Sequence, residues 1–134
     1  MYLVDTNILI YHFDGSIPAP SKDKLNSIFR KHFTVSVITG MEFLGFRGHT
    51  SDSFKKADRF LSFAKVIGIE EAIVAKVIEI LRSSAIKLPD AVIAATALIY
   101  DLILVTRNSN DFSGCGVSCF NPFDTTCCNE PLTP

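Results

Sequence analysis

Short apolar, β-branched runs alternate with longer stretches of helical periodicity along this chain, and no other feature limits its fold so strongly. Tyr2-Leu3-Val4 is the first run, and Asp5-Thr6-Asn7 after it can cap a helix beginning near Ile8. Residues 15–20 read as a loop, and Ser21 then opens a helix carrying Leu25, Ile28, Phe29 and Phe33 at helical spacing. Thr34 to Ile38 alternates and is rich in β-branched residues, the signature of a strand. Thr39-Gly40-Met41-Glu42 opens the next helix, and a break at Gly48 and Ser51 precedes another with Phe54, Ala57, Leu61 and Ala64 on one face. Residues 66–69 are extended, residues 70–85 form a long helix, and Pro89 suits the first turn of a helix over residues 90–100. Leu102 to Val105 is the clearest buried strand, and a last one is expected at Val117–Phe120.

Strands that alternate with helices need crossover connections, so the sheet is mainly parallel and covered on both faces. No repeat or linker divides the 134 residues, so one domain is expected over residues 1–124, with a Cys-containing tail over residues 125–134. In such α/β folds ligands bind beyond the carboxyl ends of the strands. That is where chemistry is to be sought.

Composition removes several classes of function. The chain is 48% hydrophobic and 20% charged, which excludes a disordered or polybasic arm. Mean hydropathy is +0.30, enough to suggest that some apolar surface is covered by a subunit interface. Thirteen Lys and Arg against fourteen Asp and Glu give a net charge of −1, so nucleic-acid binding must rest on a local patch. No apolar run approaches the ~18 residues of a membrane span. An acidic residue at position 5 and no basic leader argue against a signal peptide, so a cytoplasmic protein is expected. The four cysteines, Cys115, Cys119, Cys127 and Cys128, all fall near the end and match no common zinc spacing, which favours reduced thiols.

The carboxylates carry the chemical signal. Asp5 directly follows the first strand, Glu42 falls in the first turn of the helix after the second, and Asp111 comes six residues after Val105. Asp90 begins a helix that continues Ala91-Val92-Ile93-Ala94-Ala95. Each has a separate structural explanation: Asp5 as an N-cap, Glu42 in a capping box with Thr39, Asp90 near a helix dipole, Asp111 in a turn. One acidic site explains all four together. Carboxylates crowded in a cleft repel and lose hydration, a conflict that a divalent cation removes. Such a cation can activate water for phosphoryl displacement. Phosphate-binding glycine loops, paired helical histidines and nucleophile elbows are absent, and Asn7 stands where a phosphatase-type second Asp would be needed. His12, His32 and His49 read as surface or satisfied imidazoles.

At these residues the sequence resembles PIN-domain ribonucleases, specifically the VapC-type toxins of VapBC toxin–antitoxin pairs. The resemblance lies in Val4-Asp5-Thr6-Asn7, in Ser36 through Glu42, in Asp90 through Ala97, and in Leu104 through Asn108 followed by Asp111-Phe112. Asn121-Pro122-Phe123 also resembles the close of such chains. Gly40 and Gly45 weaken the helix around Glu42 relative to that pattern, and the Cys-rich tail departs from it.

The resemblance implies a three-layer α/β/α sandwich, dependence on Mg²⁺ or Mn²⁺, endonucleolytic cleavage of RNA, a cognate antitoxin and a homodimer. It implies that Asp5 and Asp90 are principal metal ligands and that Glu42 and Asp111 complete the acidic site. Asn7 and Thr106 are implied as the hydrogen-bonding residues that orient them. Without these four acids, ten acidic residues face thirteen basic ones. Arg47, His49, Lys55, Lys56 and Arg59 cluster after Glu42, and Arg107 lies near Asp111; phosphate contact and an ordinary solvated surface are both open to them. Two further readings remain: an inactive PIN-like module that binds RNA or protein, and a housekeeping RNA-processing nuclease.

Overall fold

Five short strands meet in one sheet of order β3-β2-β1-β4-β5, and every pairing is parallel. The computed structural model describes residues 1–31 and 33–124. The proposed tail with Cys127 and Cys128, and His32, lie outside the described residues. In chain order the elements are β1 (Tyr2–Val4), α1 (Thr6–Asp14), α2 (Ala19–Arg30), β2 (Thr34–Ser36), α3 (Val37–Leu44) and α4 (Ser51–Leu61). Then come β3 (Lys65–Ile67), α5 (Glu71–Ser83), α6 (Leu88–Ile99), β4 (Ile103–Val105), a 3-10 helix (Ser109–Cys115) and β5 (Cys119–Phe120).

The strand alternation divides two cores. Leu3 and Leu104 point to the side packed by Ile73, Val77 and Ile80 of α5 and the buried alanines of α6. Val4, Val35 and Val105 point to the other side, packed by Ile8 and Leu9 of α1, Leu25 of α2, Phe43 of α3 and Leu61 of α4. This is the α/β/α sandwich. Residues 91–97 of α6 are all buried, and their small side chains let this helix lie between α5 and the sheet. Among the described residues, no helix is long and apolar enough to cross a membrane.

The expected elements are present, but several boundaries differ. Helix α1 begins at Thr6 rather than near Ile8, α2 ends at Arg30 before Phe33 and α6 begins at Leu88 rather than Asp90; β3 is Lys65–Ile67 and β5 is confined to Cys119–Phe120. Helix α2 starts at Ala19 rather than Ser21, because Pro20 fits its first turn. Strand β2 stops at Ser36, whose hydroxyl accepts from Ile38 N at 3.2 Å and caps α3 two residues ahead of the helix start expected from Thr39. Thr39 is therefore no cap, and Glu42 falls in the second helical turn, outside any capping box. Residues 109–115 coil into a 3-10 helix held down by Phe112, which is 1% exposed.

Candidate active site

Asp5 sits where β1 becomes α1. Its backbone N–H still donates into the sheet, to Val105 O at 2.9 Å, while its side chain already caps the helix, accepting from Thr6 N at 2.8 Å. The second carboxylate oxygen accepts from Thr106 Oγ1 at 2.7 Å and from Asn7 Nδ2 at 3.2 Å. Thr106 is fully buried, and its hydroxyl oxygen accepts from Asn108 N at 3.1 Å. Its single proton is thereby aimed at Asp5. Asn7 is oriented by accepting from Arg107 N at 3.3 Å. Asn7 and Thr106 thus both hydrogen-bond the Asp5 carboxylate.

Glu42 reaches the same end of the sheet through α1. Thr6 Oγ1 donates to its carboxylate at 2.8 Å and lies 3.2 Å from Thr39 Oγ1. Since Thr6 has one proton, the arrangement is satisfied with Thr39 donating to Thr6 and Thr6 to Glu42. Asp90, half-buried in the first turn of α6, shares the wall of a cavity of about 520 Å³ with Asp111, Lys87, Asn110, Ser113 and Cys115.

Asp5 and Asp90 each feel acidic neighbours. Asp5 is pushed up from 3.8 to about 6, first by burial, with Asp90 and Glu42 adding repulsion; the bonds from Thr106 and Thr6 oppose the rise. Asp90 is raised by burial and then by Asp111 and Glu42, with Lys87 acting in the opposite sense. Among the described residues, no three Asp, Glu, His or Cys side chains form a ready-made cage for an ion. Mg²⁺ does not need one, because it keeps several waters and takes one or two carboxylates. An all-oxygen, mutually repelling donor set of this kind fits a hard divalent cation.

The basic residues are placed less uniformly. Arg47, Lys55, Lys56 and Arg59 are exposed on α4 and the loop before it, and none makes an ion pair with the four acids. His49 is not a free phosphate contact: its Nε2 lies 2.8 Å from Phe43 O and its Nδ1 3.0 Å from Ser53 Oγ. Arg107 is exposed at the edge of the site, its guanidinium 4.3 Å from the Phe123 ring centroid and 5.0 Å from that of Tyr11. Asn121 of the closing Asn121-Pro122-Phe123 segment donates to Arg107 O at 3.1 Å. The sequence suggested Thr39 only as a helix cap and gave Thr6 and Lys87 no place in the site. Thr6 had a signal in its position between Asp5 and Asn7; Lys87 had none without the fold.

Residues 2–114 match the PIN domain family, and the chain belongs to that family. No curated protein matches significantly. Among solved structures, a toxin–antitoxin complex from Klebsiella pneumoniae is 30% identical with a TM-score of 0.75, over 91% of this chain and 98% of the other. FitAcB from Neisseria gonorrhoeae has a TM-score of 0.75 at 23% identity, over 92% and 99% of the two chains. VapBC-1 from nontypeable Haemophilus influenzae has a TM-score of 0.76 at 21% identity, over 92% and 98%. These last two likenesses concern the fold.

Proposed function

We propose that this protein is a metal-dependent endoribonuclease acting as the toxin of a toxin–antitoxin pair. The observation that carries the reading is Asp5: a carboxylate 5% exposed, fixed by Thr106, Asn7 and the Thr6 amide, and set in the field of Glu42 and Asp90. Capping alone does not account for it, since one oxygen satisfies the cap and the other is clamped by two further side chains. All four acids are present in the sequence, which counts against an inactive binding module. The Klebsiella pneumoniae likeness supports a toxin with a protein antitoxin over a housekeeping nuclease. Cytoplasmic action on RNA follows from this reading.

Asp5 and Asp90 would hold Mg²⁺ or Mn²⁺, with Glu42 and Asp111 completing the site directly or through water. When bound, such a cation would make water more acidic and would offset the charge that develops on the leaving oxygen. The protein's own part is positional. Thr106, Asn7 and Thr6 keep Asp5 and Glu42 from rotating away, and the cavity beside Asp90 and Asp111 accepts the RNA strand. In the hydrolysis one phosphorus–oxygen ester bond breaks, water oxygen takes its place, and the departing alkoxide takes up a proton.

The test is cleavage of single-stranded RNA with Mg²⁺ or Mn²⁺, against EDTA, by the wild type and Asp5→Asn. Asn keeps the cap and removes the charge, so the variant is expected to be folded and inactive. Wild-type cleavage in EDTA, or full activity of folded Asp5→Asn in saturating Mg²⁺, would overturn the proposal.

A further inference from the structure

Lys87 breaks a local rule of helix construction. It occupies the N-cap of α6, where Ser, Thr, Asp or Asn is preferred, and its side chain makes no capping bond. A cation there also opposes the helix dipole, whose positive end is the amino terminus. Its ammonium forms no ion pair among the described residues. Its charge acts on Asp90, whose rise it opposes, but it satisfies neither the cap nor the dipole of its own helix. Such violations gather at functional sites.

The surroundings of Lys87 say what it meets. It lines the cavity of about 520 Å³ that also holds Asp90 and Asp111, and among the described residues it is the one cationic side chain on that wall. The 3-10 helix provides the opposite rim through Asn110 and Ser113, and Ser113 Oγ already donates to Asn110 O at 2.9 Å. A nucleic-acid strand entering here brings negative phosphates toward negative carboxylates. The rim needs a positive charge that does not neutralise the acids outright, and an unpaired Lys on a flexible stem meets that need.

We infer that Lys87 is a substrate-contacting residue, holding an RNA phosphate next to the one that is cleaved and directing a single strand into the cavity beside Asp90 and Asp111. This rests on the nuclease reading above. A strand is favoured over a duplex because a hollow of this size takes one splayed nucleotide unit, not a stacked helix. Neither Arg107 nor the basic residues of α4 line this cavity, so Lys87 is the cation placed to meet a phosphate within it.

The experiment compares wild type, Lys87→Ser and Lys87→Arg with a single-stranded oligoribonucleotide as probe. Lys87→Ser supplies the missing cap, so its melting temperature is expected to rise by a few degrees. Its KM for RNA is expected to rise about fivefold to tenfold, with kcat within twofold, and Lys87→Arg to restore the KM. Binding of the oligonucleotide by Asp5→Asn in EDTA should lose about 0.7 of its logarithmic salt slope when Lys87→Ser is added, as for one phosphate contact on a single strand. An unchanged KM and salt slope in a folded Lys87→Ser would overturn the inference. So would an effect confined to the Mg²⁺ concentration at half-maximal activity, which would make Lys87 only a tuner of Asp90. If the wild type itself fails to cleave RNA, the nuclease reading fails instead, and the two failures are thus told apart.

Discussion

At neutral pH the Asp5 carboxylate is ionised against the preference of its surroundings. Burial and two neighbouring acids raise it from 3.8 to about 6 in the folded protein. Below pH 4 both folded and unfolded chains carry the proton, and no penalty arises. Between about pH 4 and 6 the unfolded chain releases it first, so stability falls as pH rises, and the loss is complete above pH 6. A rise of that size corresponds to at most ~3 kcal/mol. Asp5→Asn recovers part of that, less the cost of turning an amide NH₂ toward one of the donors that now bond the carboxylate. The variant should therefore melt above the wild type at pH 7.5 in EDTA, by about 1–2 kcal/mol of stability, and the two should converge near pH 4. Thermal melts across this range would check it; a gap independent of pH would show that repulsion at Asp5 is not the cause.

At the scale of elements, α1 and α3 are joined at the site by the Thr39–Thr6–Glu42 chain of hydroxyls. Thr6→Val keeps the shape and deletes the donor, which releases Glu42 while leaving the α1 backbone capped by Asp5. Loss of such an orienting bond typically costs about 10–100-fold in metal affinity or activity. Titration of activity with Mn²⁺ is expected to show that loss with little change in melting temperature; an unchanged titration would mean that Glu42 acts without being held. This link also marks what the sequence could disclose. Each strand and its facing helices were legible, because two periodicities and the Leu102–Val105 run are strong local signals. The clamp on Asp5 was legible only through family resemblance, since Thr106 lies 101 residues away in sequence. The start of α3 was misplaced for a local reason: Ser36 and Thr39 are both acceptable caps, and tertiary packing chose between them by burying Thr39 against Thr6. Residues 109–115 carried no periodicity at all, and one buried side chain, Phe112, fixes their coil.

Across the whole molecule, the apolar surface is not spread evenly. Helix α5 buries Ile73, Val77 and Ile80, yet it also presents Val74, Ile78 and Leu81 outward at the i, i+4, i+7 spacing of a second stripe, with exposures of 44%, 54% and 40%. Ile99 and Tyr100, 41% and 37% exposed, extend the patch at its amino-terminal end, where the Tyr100 hydroxyl donates to the Glu70 carboxylate. A helix apolar on two faces is expected to be covered on both. Lys76, Glu79 and Arg82 along its flank supply both signs of charge, so a second copy related by a two-fold axis can match them, whereas a strongly acidic or basic partner would not. We therefore expect homodimerisation through α5. Ile78→Glu places a charge at the centre of the stripe without touching the buried Ile73, Val77 and Ile80, so the fold should survive while association weakens by at least about tenfold in Kd. Sedimentation at tens of micromolar should show a wild-type dimer and an Ile78→Glu monomer with the same far-ultraviolet spectrum. A monomeric wild type would remove the dimer, and a variant that still dimerises would move the interface away from α5.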